Sequence, residues 1–129
     1  MIAPVTVKGS CHCRATQFTV AKRPDSVTRC TCSFCSKRGV LWAYYETESD
    51  FALTTSRDRV STYQWNSYSV EHHHCAICGC GTWSRSPVWD PATKTPVAGK
   101  FKIGVNAWLL DDFEIDAQPV QVVDGKNQW

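Results

Sequence analysis

Along most of the chain, apolar residues recur at every second position in runs too short for anything but β-strands. Val5 and Val7 alternate with polar neighbours, as do Thr16, Phe18 and Val20, which is the period of strands with one buried face. Residues 22–26, with Pro24, break the run. Residues 33–39 predict a helical turn ended by Gly39. Residues 40–45 are continuously apolar or aromatic and read as a buried strand; a polar turn over 46–50 follows, and then Phe51 and Leu53 alternate again. Residues 60–65 and 68–74 read as two strands joined by a hairpin turn at Asn66 and Ser67. Residues 86–99 carry Pro87, Pro91 and Pro96 and predict a long irregular loop, a candidate lid or specificity element. Phe101, Ile103, Val105, Ala107 and Leu109 give the clearest alternation, and residues 118–129 predict one more strand with a turn at Asp124 and Gly125. No amphipathic helix longer than two turns is visible. The pattern predicts an all-β fold of many short antiparallel strands.

Composition narrows the class. A chain of 129 residues, 43% hydrophobic and 20% charged, predicts a single soluble domain spanning 1–129. Its formal charge is +2 and its 14 basic residues are scattered, which argues against a nucleic acid partner. No apolar run approaches the roughly 20 residues of a membrane span, and the first ten residues lack the apolar segment of a secretion signal. The expected setting is cytoplasmic.

That setting decides how the 8 cysteines are read. In a reducing compartment, clustered cysteines point to metal rather than to disulfides. Cys11 with Cys13, and Cys75 with Cys78 followed by Gly79, supply two close pairs. Together they suit the four sulfurs of a tetrahedral structural zinc. Cys30, Cys32 and Cys35 form a trio with one ligand too few. A zinc held there keeps a position open for water or substrate. With three thiolates around it, the ion is a weak generator of hydroxide but welcomes an incoming thiol, whose proton it displaces near neutral pH. Arg29, Lys37 and Arg38 bracket the trio and could hold a substrate carboxylate; three solvated basic side chains are the competing reading.

The clusters Gly9-Ser10-Cys11-His12-Cys13, Cys30-x-Cys32-Ser33-x-Cys35 with Gly39, and Cys75-x-x-Cys78-Gly79 resemble those of the glutathione-dependent formaldehyde-activating enzyme family, which also includes centromere protein V. Val105-Asn106-Ala107, Leu110-Asp111-Asp112 and Asp124-Gly125 are similar too, so the likeness spans nearly the whole chain. The resemblance implies a β-tent of antiparallel sheets, with Cys11, Cys13, Cys75 and Cys78 on a structural zinc. It also implies a catalytic zinc on Cys30, Cys32 and Cys35. The implied reaction joins glutathione to formaldehyde as S-hydroxymethylglutathione; read backwards, it is a carbon–sulfur lyase acting on a small thiol–aldehyde adduct. Arg14 stands where the family commonly has glycine, and His74 where it has an aromatic residue.

Other residues carry two readings. His72 or His74 could close the trio's fourth position, against the plainer view of surface or packing histidines. Cys80 is a small buried apolar residue, or else a reactive thiol or one that serves the second site. Trp42, Tyr44, Tyr45, Trp65, Trp83 and Trp108 read as packing residues, whereas Trp89, alone in the proline-rich stretch, is a candidate pocket wall. Asp111 and Asp112 read as a solvated turn or as acid–base groups. A non-catalytic zinc module that binds another macromolecule is the rival to the enzyme.

Overall fold

The computed structural model describes residues 6–128, and Val5 of the first alternation lies outside them. Strands β1 (Val7–Ser10), β2 (Gln17–Val20) and β5 (Phe51–Leu53) form a small sheet in the order β1-β2-β5. The other seven are β3 (Val27–Cys30), β4 (Trp42–Tyr45), β6 (Val60–Tyr63), β7 (Glu71–Cys75), β8 (Gly81–Asp90), β9 (Thr95–Asn106) and β10 (Val120–Val123). They form the second sheet in the order β10-β3-β4-β9-β8-β7-β6. Helices are short, α1 (Ser33–Arg38) and α2 (Gly125–Gln128). The architecture is all-β.

Alternation along the strands of the large sheet decides what each face does. Odd-numbered Ala43, Tyr45, Trp83, Ile103 and Val105 are buried together with Val7, Phe18 and Val20 of the small sheet. Phe51 stacks on both Phe18, at 5.4 Å, and Trp83, at 4.9 Å. Each of these large side chains contributes about 1.5–3 kcal/mol by leaving water. The even-numbered residues face the other way. Tyr44 pairs with Gly104, Gly104 with Ser84, and Ser84 with His72, making one continuous row across four strands. One face of the sheet is core, and the other is free to build a site.

Several sequence expectations need correction. Residues 86–99 are not a loop: they form the outer half of the β8–β9 hairpin, closed by a turn in which Lys94 N–H donates to the Asp90 carbonyl at 2.7 Å. Pro91 lies in that turn, and Pro87 and Pro96 are tolerated because, among the described residues, β8 pairs with β7 only as far as Arg85 and β9 pairs with β4 only from Ile103 onward. Beyond those points each strand has a free edge, where a missing N–H costs little. The turn between β6 and β7 is wider than Asn66 and Ser67. The last pair is Tyr63 with His72, and both Asn66 and Tyr68 take left-handed backbone, with φ of 56° and 57°. The run at 40–45 is a strand only from Trp42, and Tyr44 is 47% exposed because it belongs to the row just described. Finally, β10 lies parallel to β3, so the sheet is mixed rather than wholly antiparallel.

Candidate metal centres and their cavity

Cys11 and Cys13 lie in the tight turn from β1 to β2, while Cys75 ends β7 and Cys78 lies in the turn to β8. The four sulfurs fall within 4.8 Å of one another. Both the Cys11–Cys13 and Cys13–Cys75 sulfurs are 3.7 Å apart. A tetrahedral ion with Zn–S bonds near 2.3 Å requires sulfur separations of about 3.8 Å, so the donor set fits zinc. Thr16 N–H donates to Cys11 Sγ at 3.3 Å, and the N–H groups of Ile77 and Cys78 approach Cys75 Sγ at 3.4 and 3.5 Å. Such donors favour thiolate over thiol. The group joins the small sheet to the large one. Half-buried Cys80 packs against it, and its sulfur stands outside the four. His12 is exposed.

The second group comes from a strand end and a helix start. Cys30 ends β3, Cys32 caps α1, and Cys35 lies in its first turn. Cys35 N–H donates to Cys32 Sγ at 3.3 Å, and the Trp42 indole N–H donates to Cys35 Sγ at 3.3 Å. Gly39 ends the helix in left-handed backbone, φ 68°. All three cysteines are buried, their sulfurs again within 4.8 Å of one another. Burial pushes the Cys30 and Cys35 thiols up from their ordinary range. Burial acts on Cys32 in the same sense but is outweighed by hydrogen bonds, chiefly from the Cys35 N–H, which bring that thiol down. Full ionisation of such a set calls for a bound cation, and three soft donors suit zinc here as well. Among the described residues no fourth protein ligand joins the group.

A cavity of about 630 Å³ opens directly above these three sulfurs. Its walls carry the rings of Phe34, Trp42, Tyr44, Trp65, His72 and Trp89. The row across the sheet forms its floor, and the turn after β6 closes one side. Trp89 is odd-numbered yet faces the cavity, because the register shifts between Pro87 and Trp89 and resets the alternation. The His72 imidazole is buried, pairs through Nδ1 with the Ser84 hydroxyl at 2.8 Å, and lies 4.2 Å from the Phe34 ring. Burial, assisted by the Arg38 charge, lowers its pKa to about 4. His73 turns to the opposite face, bonded to Thr62 Oγ1 at 2.9 Å and with its ring tilted against that of Trp83 at 4.3 Å. His74 is half-buried, with its Nδ1 unpartnered.

Of the basic residues singled out in the sequence, Arg29 and Lys37 are exposed. Arg38 lies 4.9 Å over the Phe34 ring and against Gly81. None of the three lines the cavity. The cation on its wall is Lys102, which no local sequence feature marks; only its place on the even face of β9, two residues before Gly104, indicates it. Asp111 and Asp112 form an exposed turn.

Fold and site together define a small all-β protein with two cysteine groups fit for metal, one closed and one opening on an aromatic cavity. The chain belongs to the glutathione-dependent formaldehyde-activating enzyme family, whose model matches residues 6–119. A Halomonas elongata protein named for the same family is 30% identical over 91 residues, covering 64% of this chain. The match takes in 58% of that relative's own length. The crystal structure of a Rhodobacter sphaeroides protein is similar at a TM-score of 0.69 and 26% identity, covering 90% of this chain and 99% of the other.

Proposed function

We propose that this chain joins a glutathione-type thiol to formaldehyde or a related small aldehyde, and runs the same step backwards as a carbon–sulfur lyase. In the forward direction the thiol sulfur bonds to the carbonyl carbon, the C=O π pair moves to oxygen, and the thiol proton ends on that oxygen. Zinc on Cys30, Cys32 and Cys35 would supply a Lewis-acidic position at which an incoming thiol ionises at neutral pH. The protein's own contribution is orientation and exclusion of water. Trp42 holds Cys35 by its indole N–H, and the aromatic walls keep the reacting pair dry. The buried Ser84–His72 pair offers the hydrogen bond to the carbonyl oxygen as charge builds on it.

The observation that carries this reading is the opening of a three-sulfur group on a cavity of about 630 Å³. The test is NMR exchange spectroscopy on glutathione and formaldehyde with the purified protein, beside Cys32→Ser. Wild type should speed interconversion well above buffer, and the variant should return it to the buffer rate. Equal rates in all three samples would remove the formaldehyde assignment and leave the same cysteines to a non-catalytic zinc module.

A further inference from the structure

The cavity wall carries one positive charge. Among the described residues Lys102 is the one charged side chain on its wall, and no carboxylate lines it. Half-buried, Lys102 forms no ion pair among those residues, and its Nζ lies 5.1 Å from the centre of the Tyr44 ring. A lysine held over an aromatic face and facing an apolar cavity is an unspent partner for an anion.

Its position along the floor sets the length of what it can hold. Lys102 pairs with Ser86, Gly104 with both Ser84 and Tyr44, and Asn106 with Trp42. Trp42 in turn touches Cys35 Sγ through its indole at 3.3 Å, and its ring lies 6.4 Å from that of Tyr44. The order along this face is therefore sulfurs, Trp42, Tyr44, Lys102. Same-face neighbours on a strand are about 7 Å apart, so the sulfur end and the ammonium end are separated by on the order of 10 Å. Cysteine itself is too short to span them. A peptide-like thiol, with its carboxylate several bonds beyond the amide, is not. Gly104 keeps the floor low between the two ends, since a Cβ there would stand 3.0 Å from Tyr44 and 3.2 Å from Trp42. Ser84 and Ser86 offer hydroxyls along the same track.

We propose that Lys102 anchors the carboxylate of an extended, peptide-like thiol whose sulfur lies at Cys30, Cys32 and Cys35, so that the cavity selects anionic thiols by charge and by length. This rests on the reading that the trio receives the substrate's sulfur. It makes Lys102 a specificity-determining residue.

The test is equilibrium binding followed by tryptophan fluorescence, which reports the cavity through Trp42, Trp65 and Trp89. The probes are glutathione, its diamide in which both carboxylates are converted to amides, and cysteine. They are applied to wild type, Lys102→Met and Lys102→Arg, each with its purified metal content. Wild type should prefer glutathione to the diamide by about tenfold, the scale of one hydrogen bond to a charged group, and cysteine should bind more weakly than either. Lys102→Met should abolish the preference by weakening glutathione alone, and Lys102→Arg should retain it. Equal binding of glutathione and diamide by wild type, an unchanged preference in Lys102→Met, or no binding of either peptide thiol overturns the proposal. A preference without any conversion of formaldehyde would leave the anchor standing and remove the reaction; conversion without preference would do the reverse.

Discussion

Arg14 sits in left-handed backbone, φ 67°, immediately after Cys13. The turn that aims Cys11 and Cys13 at one point requires that conformation, and a side chain in it carries a cost of about 1–2 kcal/mol. Glycine carries none. Arg14→Gly should therefore raise stability by about 1 kcal/mol without altering the metal content; denaturant unfolding with a parallel metal assay checks both. A loss of stability would mean that the arginine side chain contributes contacts outweighing the strain. Residues of this kind are legible in sequence, because a metal knuckle is local: two ligands and a turn residue within four positions. Lys102 is the opposite case. Its place beside Tyr44 and Ser86 is set by the sheet register, whereas Arg29, Lys37 and Arg38 are close to the trio along the chain.

The β8–β9 hairpin is the element on which sequence and structure differ most. Its three prolines obscured two strands that the alternation at 101–105 should have extended backwards. A ribbon with free edges on both sides has no use for every N–H, and prolines report only where a donor is unnecessary. The shift between Pro87 and Trp89 matters more for the site. Without it, strict alternation would turn Trp89 from the cavity. Trp89 is 43% exposed, so Trp89→Ala should cost under about 1 kcal/mol in stability while weakening glutathione binding several-fold. Titration and thermal melting of the same samples separate the two effects, and a large drop in melting temperature would make Trp89 a structural residue. The shorter elements were easier to read: α1 is announced by its cysteine spacing and closed by Gly39.

At the scale of the molecule, the two cysteine groups occupy different places. The first joins the β1–β2 turn to the β7–β8 turn, and so one sheet to the other. Closed cysteine sites of this type contribute folding energy on the order of 10 kcal/mol. The trio lies on one sheet and its adjoining helix. Cys13→Ser should accordingly lower unfolding stability by at least about 3 kcal/mol, and more than Cys32→Ser does, in denaturant titrations with zinc present. The reverse order would assign the structural task to the trio.

The one parallel pairing among the described strands bears on how the trio comes to be shaped at all. Thr31, between Cys30 and Cys32, receives β10: its N–H donates to the Val123 carbonyl at 3.0 Å, and Lys126 N–H donates to its hydroxyl at 3.2 Å. During synthesis the three sulfurs thus emerge more than ninety residues before the segment that braces them, as the pairing of Thr31 with Lys126 measures. The other group has all four of its cysteines by Cys78, although the Cys75 N–H also takes the Cys80 carbonyl at 2.9 Å and the neighbouring Lys8 carbonyl takes the Asp111 N–H at 2.8 Å. The bracing of the trio therefore comes only once β10 has been made, whereas the four-sulfur group lies wholly upstream of it.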